Sequence, residues 1–387
     1  MRGLVVPDRT EDFTADPVEL FFDLAFVFAF SQLVSHLVHH PDWIGLAEAG
    51  LLFLLLWLNW STFTWSANAV SGNSRSTRAF FLVATTAMVP MAASVTSAYD
   101  SGGATFAISG SVILLMGITL TMWGLPTGSD EFRLAVKYSY PNLATIVLLI
   151  VGGFLEDEAR VIIWIVAAAV VIAGTVAAGS GNWIVRPGHF AERHGLIIII
   201  ALGEVIVAIG IAVVGSFEDG SGLTTATRLG LVAAGAMAGL LWWSYFDRVL
   251  PALEYRNDQL TAGERSRFTR DVYTYGHLPI VAGIIITAAA AEEVLLHPAD
   301  PTPLAFRAML AGGLALFLLG IAASVGRAHR VLARERFAAS IAIAAIVTIG
   351  RSWDGVALLF AVDAVLLVAL IFEHVRIEKP TPPAVAT

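Results

Sequence analysis

The sequence predicts an all-α integral membrane protein with about twelve transmembrane helices, arranged as two parallel six-helix repeats. Hydrophobic residues make up 57% of the 387-residue chain, charged residues make up 14%, and the mean hydropathy is +0.76. Soluble domains carry about 25% charged residues, so this composition favours helices that face lipid. Apolar stretches of about 20 residues, the length that crosses a bilayer, recur along the chain. The uneven division of basic residues between alternate loops is a third indication.

Charge and cysteine content exclude several classes of protein. The formal net charge is −8 at pH 7, whereas a nucleic-acid partner requires a basic surface. The chain has no cysteine, which excludes disulfides, thiolate chemistry and cysteine-ligated metal sites. The first residues, MRGLVVPDRTEDFTADP, are polar and acidic, unlike a signal peptide. We therefore expect the first apolar segment to remain as a helix.

The first half of the chain, residues 1–180, is predicted to hold six helices. The turn His39-His40-Pro41-Asp42 ends the first helix, and Pro141 is expected to kink the fifth. The predicted bounds are 17–38, 43–68, 78–99, 104–125, 132–155 and 160–179. A linker at 181–190, GNWIVRPGHF, follows.

The second half, residues 191–376, is predicted to hold six more helices, followed by a disordered tail at 377–387. The eleventh helix is the shortest. The predicted bounds are 191–210, 224–250, 271–292, 303–323, 337–350 and 354–375. Small residues in the fourth and tenth helices predict close helix packing; they are Gly110, Gly117, Gly312, Gly313 and Gly320.

The distribution of basic residues supports this count. With twelve helices, 19 of the 23 lysines and arginines fall on the side of the N-terminus. Cytoplasmic loops are enriched in basic residues. A helix too many or too few would assign every later loop to the opposite side and would remove this uneven distribution. The sequence therefore predicts a multi-pass protein of the cell membrane with both termini in the cytoplasm. The other side holds only Arg160, Arg228, Arg307 and Arg351.

The two halves share weak sequence features. Glu19 opens the first helix and Glu192 opens the seventh. Trp57-Leu58-Asn59-Trp60 in the second helix corresponds to Trp242-Trp243-Ser244-Tyr245 in the eighth. Because six helices per half is an even number, such repeats would be related by an axis along the membrane normal. Two similarly built halves can also arise from composition alone.

Eight polar residues within the helices are candidate transport or substrate-binding residues. Counted from the cytoplasmic side at about 1.5 Å per residue, six lie in the inner third and two near the midplane. Ionisable residues inside a membrane are costly, so those that occur often serve function. The inner set is Glu19, Asp23, Glu192, His194, Asp247 and His277, and the central pair is Glu204 and Asp363.

Each candidate also has a purely structural interpretation. Glutamates at a helix start suit the positive end of the helix dipole. An acid beside an arginine, as at Asp247-Arg248, can form an interfacial ion pair. A histidine shortly before a proline, as at His277, can bond a freed backbone carbonyl. Acids within the membrane can link helices by hydrogen bonds. Both interpretations remain open at this point.

Several stretches resemble a known family. Glu19-Leu20-Phe21-Phe22-Asp23-Leu24 and Glu192-Arg193-His194-Gly195-Leu196, the latter followed by Ile199-Ile200-Ala201-Leu202-Gly203-Glu204, resemble the two signature stretches of the bacterial low temperature requirement A (LtrA) family. Trp242-Trp243-Ser244-Tyr245-Phe246-Asp247 and His277-Leu278-Pro279 fit its pattern too. The resemblance implies a multi-pass bacterial inner-membrane protein. The family is named for a cold-growth requirement, and the resemblance implies no particular reaction or substrate.

The sequence favours a secondary transporter, or an ion or proton pathway, that uses the intramembrane carboxylates. The expected partners are the lipid bilayer and either protons or a small cationic or lipid substrate, with no nucleic acid. No nucleotide-binding, serine hydrolase, metalloprotease or haem motif occurs, so no cofactor, metal or catalytic residue is expected.

Two alternatives to transport remain open. One is a membrane enzyme that acts on a lipid or polyprenyl substrate, with the inner-face carboxylates and histidines as acid and base. Arg265, Arg267 and Arg270 are the dense basic candidates for its phosphate head groups. The other is a non-catalytic membrane sensor or scaffold.

Overall fold

The computed structural model describes residues 15–70, 74–178, 181, 183–218 and 222–376. Within these ranges the chain is a bundle of helices with no strand, as the sequence predicts. An isolated bridge joins Pro301 to Asp354 in the described part of the chain. The N-terminal residues 1–14 and the predicted tail at 377–387 lie outside the described residues.

The first six helices follow the predicted segments closely. They are α1 (Pro17–His39), α2 (Trp43–Ala69), α3 (Arg75–Ala93), α4 (Gly103–Gly124), α5 (Asp130–Gly153) and α6 (Asp157–Ala178). Side chains that accept backbone hydrogen bonds cap several of their starts, including Asp16 for α1 and Ser129 for α5. The third predicted helix is too long, because a 3-10 turn, Val95–Ser97, follows Ala93. α5 continues through Pro141, whose ring packs against Gly174 of α6.

The second half contains more helices than predicted, because two short helices connect its second and third membrane segments. They are α7 (Pro187–Glu218), α8 (Thr225–Phe246), α9 (Val249–Asp258), α10 (Ala262–Thr269), a π-helix (Arg270–Tyr275), α11 (His277–Leu296), α12 (Leu304–His329), α13 (Arg334–Ile349) and α14 (Gly355–Arg376). α7 begins at Pro187 rather than at Ala191, so the end of the predicted linker is helical. Proline suits this position because the first turn of a helix needs no backbone donor.

Eleven segments of the described chain are long and apolar enough to cross a membrane. The remaining predicted segment is α13, whose 16 residues extend only about 24 Å. It still runs from one end of the bundle to the other. Arg336 at its start pairs with Glu373 at the end of α14, and Val347 near its end accepts from Arg307 at the start of α12. Among the described residues, twelve segments therefore run from one end of the bundle to the other; eleven of them are long and apolar enough to cross a membrane, and α13 is the shortest.

The described ends of the chain lie at the same end of the bundle. The backbone N–H of Ala15 donates to Glu192, close to the start of α7, at 2.6 Å. α9, which follows the end of α8, packs on α7. Arg248, between α8 and α9, reaches His374 at the end of α14, with 2.7 Å between their nitrogen atoms. This placement fits an even number of crossings, and the side of the membrane that this end faces stays a prediction.

The two halves meet through α1, α2, α7, α11 and the π-helix. α1 packs on α7 and α11. The indole N–H groups of Trp57 and Trp65 in α2 donate to Thr274 of the π-helix, at 2.8 and 3.0 Å. α1 packs on α3 as α7 packs on α11, and α5 packs on α6 as α13 packs on α14. A parallel repeat requires such matching pairs; the superposition of the halves, with Glu19 on Glu192, stays a prediction.

Glycines allow α11 and α12 to approach closely. A Cβ atom on Gly313 would lie 2.6 Å from Thr287 Oγ1, and one on Gly283 would lie 2.5 Å from the Gly313 carbonyl oxygen. The predicted packing role is wrong for Gly312, which has no such neighbour within 4 Å, because adjacent helical residues point in different directions. Close contacts do surround the other glycines predicted for this role, Gly110, Gly117 and Gly320.

The topology can be tested on this cysteine-free chain. Cysteines introduced at Gly220 and Glu264 are expected to react from opposite sides of the membrane, because one crossing helix, α8, lies between the two positions. Gly220 lies outside the described residues, and Glu264 lies in α10. An impermeant thiol reagent should label the first in intact cells and the second only after permeabilisation. Labelling of both from one side would contradict the twelve-segment topology.

Candidate functional site

A buried ion cluster joins α1 to α7. Arg193 of α7 binds both Glu19 and Asp23, which share one face of α1 because they are four residues apart. Its Nη1 donates to Glu19 Oε2 at 2.6 Å, and its Nε and Nη2 donate to the two oxygens of Asp23 at 2.9 and 2.7 Å. All three side chains are at most 1% exposed. A bidentate guanidinium–carboxylate pair is strong and directional, so the cluster fixes α7 against α1.

Two more side chains complete this ion cluster. His189 Nε2 lies 2.9 Å from Glu19 Oε2, and the indole N–H of Trp60 in α2 donates to Asp23 Oδ1 at 2.8 Å. Two carboxyl groups face one guanidinium, so the cluster is neutral only when His189 or a carboxyl group carries a proton. An unbalanced buried charge is costly, so the number of protons on the cluster affects how firmly it holds α1 against α7.

His194, the next residue on α7, is enclosed by aromatic rings. Its Nδ1 lies 2.8 Å from the carbonyl oxygen of Phe190, so Nδ1 carries the hydrogen and Nε2 the lone pair. Nε2 is buried without a hydrogen-bond partner in the described part of the chain. The ring centroids of Trp60, Tyr273 and His277 lie 4.9, 5.0 and 4.9 Å from that of His194. His194 therefore adjoins the ion cluster through Trp60.

His277 is a core histidine with both ring nitrogens bonded. Its Nδ1 donates to the carbonyl oxygen of Val272 at 2.8 Å, and its Nε2 accepts from the Tyr245 hydroxyl at 2.6 Å. Val272 belongs to the π-helix, a conformation that is frequent at functional sites. The accepting carbonyl is therefore supplied by the π-helix and not by the backbone next to Pro279.

Glu204 faces the interior of the bundle, as expected for an acid near the midplane. It is 1% exposed, and its Oε2 accepts a hydrogen bond from the hydroxyl of Ser31 in α1 at 2.7 Å. Its Oε1 has no hydrogen-bond partner among the described residues. An unpaired carboxylate is costly inside a membrane, and the Ser31 hydroxyl carries no charge that could balance it.

The remaining candidates lie apart from the ion cluster. Asp363 in α14 is buried, and neither carboxyl oxygen has a hydrogen-bond partner in the described ranges. Asp247 forms an ion pair with Arg248 at 3.3 Å, as its structural interpretation expects. Glu192 is half-buried and binds the backbone at Ala15, so it is not the residue of α7 that meets the acids of α1. No group of three or more metal-binding side chains occurs in the described residues.

The sequence reasoning missed three members of the ion cluster: Arg193, His189 and Trp60. Arg193 was counted only among the basic residues on the side of the N-terminus, and His189 fell in the predicted linker. The signal that could have found Arg193 is its depth. Asp23 is the seventh residue of α1 and Arg193 is the seventh residue of α7, so opposite charges enter the bundle at the same level.

Comparison with known proteins agrees with the sequence motifs. The family model described as bacterial low temperature requirement A protein (LtrA) matches residues 14–371. An uncharacterized protein of Rhizobium meliloti (strain 1021) is 28% identical over 386 residues, which cover 96% of this chain and 91% of that protein. No solved structure matches the chain. The chain therefore belongs to the bacterial low temperature requirement A family.

Proposed function

We propose that the protein is a proton-linked secondary transporter, or a proton pathway, whose halves move at the ion cluster of Glu19, Asp23 and Arg193. The observation that carries the proposal is the fully buried ion pair between α1 and α7. Interfaces that switch between two arrangements commonly exchange such ion pairs. Gain or loss of a proton changes the net charge of the cluster, and therefore the strength of the link between the halves.

Glu204 adds a protonatable group deeper in the same interface. Asp23 and Ser31 are eight residues apart on α1, or about 12 Å along the helix axis. Arg193 and Glu204 are eleven residues apart on α7, or about 16 Å. Protonatable groups on α1 and α7 thus occur at two levels, one in the ion cluster and one about 12–16 Å deeper. Buried acids and histidines in membrane proteins often serve proton movement.

The enzyme alternative has less support. Arg265 donates to the backbone carbonyls of Asn257, Asp258 and Leu260, and Arg270 is paired with Asp271. Arg267 is the exposed member of the three arginines. They therefore do not form a cluster that is open to a phosphate group. The sensor or scaffold alternative does not require the buried protonatable groups, so it does not account for them.

The transport proposal predicts proton flux through the purified protein in liposomes. Vesicles that contain a pH-sensitive dye are given a membrane potential, and the expected result is acidification several times faster than in protein-free vesicles. Arg267→Gln removes an exposed charge far from the ion cluster and should behave as the unchanged protein. If neither protons nor cations cross faster than in protein-free vesicles, in either gradient direction, the proposal fails. Lipid head groups bound at the ion cluster in a density map would then favour the enzyme.

A further inference from the structure

Glu292, near the end of α11, is a buried acid that has no role in the site described above. It is 8% exposed. The next residue, Glu293, is paired with His297 at 3.3 Å, whereas no hydrogen bond or ion pair within the described residues involves the carboxyl group of Glu292. Ionisable side chains buried within a membrane often serve function. Glu292 is therefore a candidate for the same proton pathway as Glu204.

Helix packing places Glu292 farther than Glu204 from the ion cluster. α7 and α11 run in the same direction, because contacts between their histidine rings join the two helices near their starts. Toward the other end of the bundle, a Cβ atom on Gly215 of α7 would lie 3.8 Å from Leu296 of α11. Glu204 is eleven residues before Gly215, and Glu292 is four residues before Leu296. At about 1.5 Å per residue, Glu292 therefore lies about 10 Å beyond Glu204 along the bundle.

A polar strip on α1 spans the distance between the two acids. Its members, Ser31, Ser35 and His39, follow one another at intervals of four residues, so they lie along one side of the helix over about 12 Å. At one end of the strip, the Ser31 hydroxyl donates to Glu204 Oε2 at 2.7 Å. At the other end, the charge of His39 acts on Glu292, and the charge of Glu292 acts in turn on Glu204. The polar strip thus connects the level of Glu204 to the level of Glu292.

We propose that Glu292 exchanges protons with Glu204 along the polar strip, and so forms the part of the pathway that lies beyond Glu204 from the ion cluster. The inference rests on the proposed function. The proton leaves Glu204 Oε1, the oxygen without a hydrogen-bond partner among the described residues, and moves through water along the strip to a carboxylate oxygen of Glu292. Glu204 becomes negative as Glu292 becomes neutral, so the total charge is unchanged. His39 is exposed and its Nδ1 donates to the Ser35 carbonyl oxygen at 2.8 Å, so its Nε2 can accept the proton from Glu292.

The first test is the proton flux of Glu292→Gln in the liposome dye assay. We expect the flux to fall about tenfold or more, because a carboxamide keeps the shape of the side chain but cannot take up a proton at neutral pH. Glu292→Asp keeps an acid and should retain part of the flux, which separates proton exchange from folding. Glu293→Gln, the adjacent acid that is paired with His297, should leave the flux unchanged. Full flux in Glu292→Gln would overturn this inference and leave the transport proposal in place.

The second test measures access of water to Glu204 and does not require flux. Ser31→Cys places a thiol on the cysteine-free chain eight residues before the end of α1, and Ile165→Cys places one eight residues after the start of α6, at a 52% exposed apolar position. In lipid nanodiscs, trimethylammonioethyl methanethiosulfonate, a cationic thiol reagent, should react about tenfold faster with Ser31→Cys, because the reactive thiolate forms in water and not in lipid. Adding Glu292→Gln should slow this reaction, whereas adding Glu293→Gln should not.

The two tests distinguish failure of this inference from failure of the transport proposal. Absence of flux from the unchanged protein would contradict transport, whereas a rate for Ser31→Cys no higher than that for Ile165→Cys would show that the polar strip is closed to water, whatever the flux. Fast reaction of Ser31→Cys that Glu292→Gln does not slow would overturn the assignment of Glu292.

Discussion

Replacing Arg193 with glutamine is expected to lower the free energy of unfolding by about 3–5 kcal/mol, the typical cost of removing one partner of a buried ion pair. The substitution leaves Glu19 and Asp23 buried without their counter-charge and removes the direct ionic link between α1 and α7. Unfolding of the detergent-solubilised protein, followed by tryptophan fluorescence, measures the change. Among the substitutions discussed, we expect this one to have the largest effect on stability.

Matched variants separate lost charge from lost shape at this position. Arg193→Lys keeps the charge but not the planar fork that binds Asp23 at two points, so it should be intermediate. Combining Arg193→Gln with Glu19→Gln and Asp23→Asn removes all three charges and should recover part of the loss. The exposed Arg267→Gln is the control and should unfold as the unchanged protein does. Unaltered unfolding of Arg193→Gln would show that the ion cluster does not hold the halves together.

Replacing Glu204 with glutamine is expected to abolish proton flux in liposomes while the protein still folds. Glutamine keeps the shape of the side chain and an oxygen that accepts from Ser31, but it cannot gain or lose a proton at neutral pH. The measurement is the dye assay described above, with the flux of Glu204→Gln falling to that of protein-free vesicles. Loss of cold-growth complementation is the corresponding expectation in cells.

Two variants show whether proton handling or packing is responsible. Glu204→Leu removes both the proton and the acceptor, leaving the Ser31 hydroxyl without this bond, so it should lower stability as well as flux. Glu293→Gln changes an acid that pairs with His297 near the end of α11 and should leave flux unchanged. If Glu204→Gln is fully active and Glu204→Leu only lowers expression, Glu204 is structural and the transport proposal loses its main support.

The fold could be predicted because apolar length and loop charge act locally along the chain. α1, α2, α4 and α14 begin and end within two residues of their predicted bounds. α9 and α10 could not be predicted in the same way, because they are short polar helices whose positions depend on tertiary packing: α9 packs on α7 and α12, and α10 packs on α9 and the π-helix. The π-helix was missed for a related reason: its geometry depends on tertiary contacts, such as those of Thr274 with Trp57 and Trp65.

The site was predicted only in part because pairing between distant helices leaves little local trace. The acids Glu19 and Asp23 stand out in an apolar segment. Arg193 does not, because an arginine next to a helix start looks like an ordinary interfacial charge. Asp363 shows the converse case: it is buried, yet no residue in the described chain is hydrogen-bonded to it. Depth alone therefore does not identify the partner of a buried acid.

The ion cluster also has a consequence for how the protein is made. Asp23 and Arg193 are 170 residues apart in sequence. At about 5–20 residues per second, the ribosome needs roughly 10–30 s to synthesise the chain between them. During that interval α1 has left the ribosome with two acids whose arginine does not yet exist. Until the arginine is made, either the acids of the helix are protonated, or the helix lies at the membrane surface or in the protein-conducting channel. Completion of the first six helices is therefore not completion of a stable unit, and final placement of the first helix depends on the arrival of the seventh.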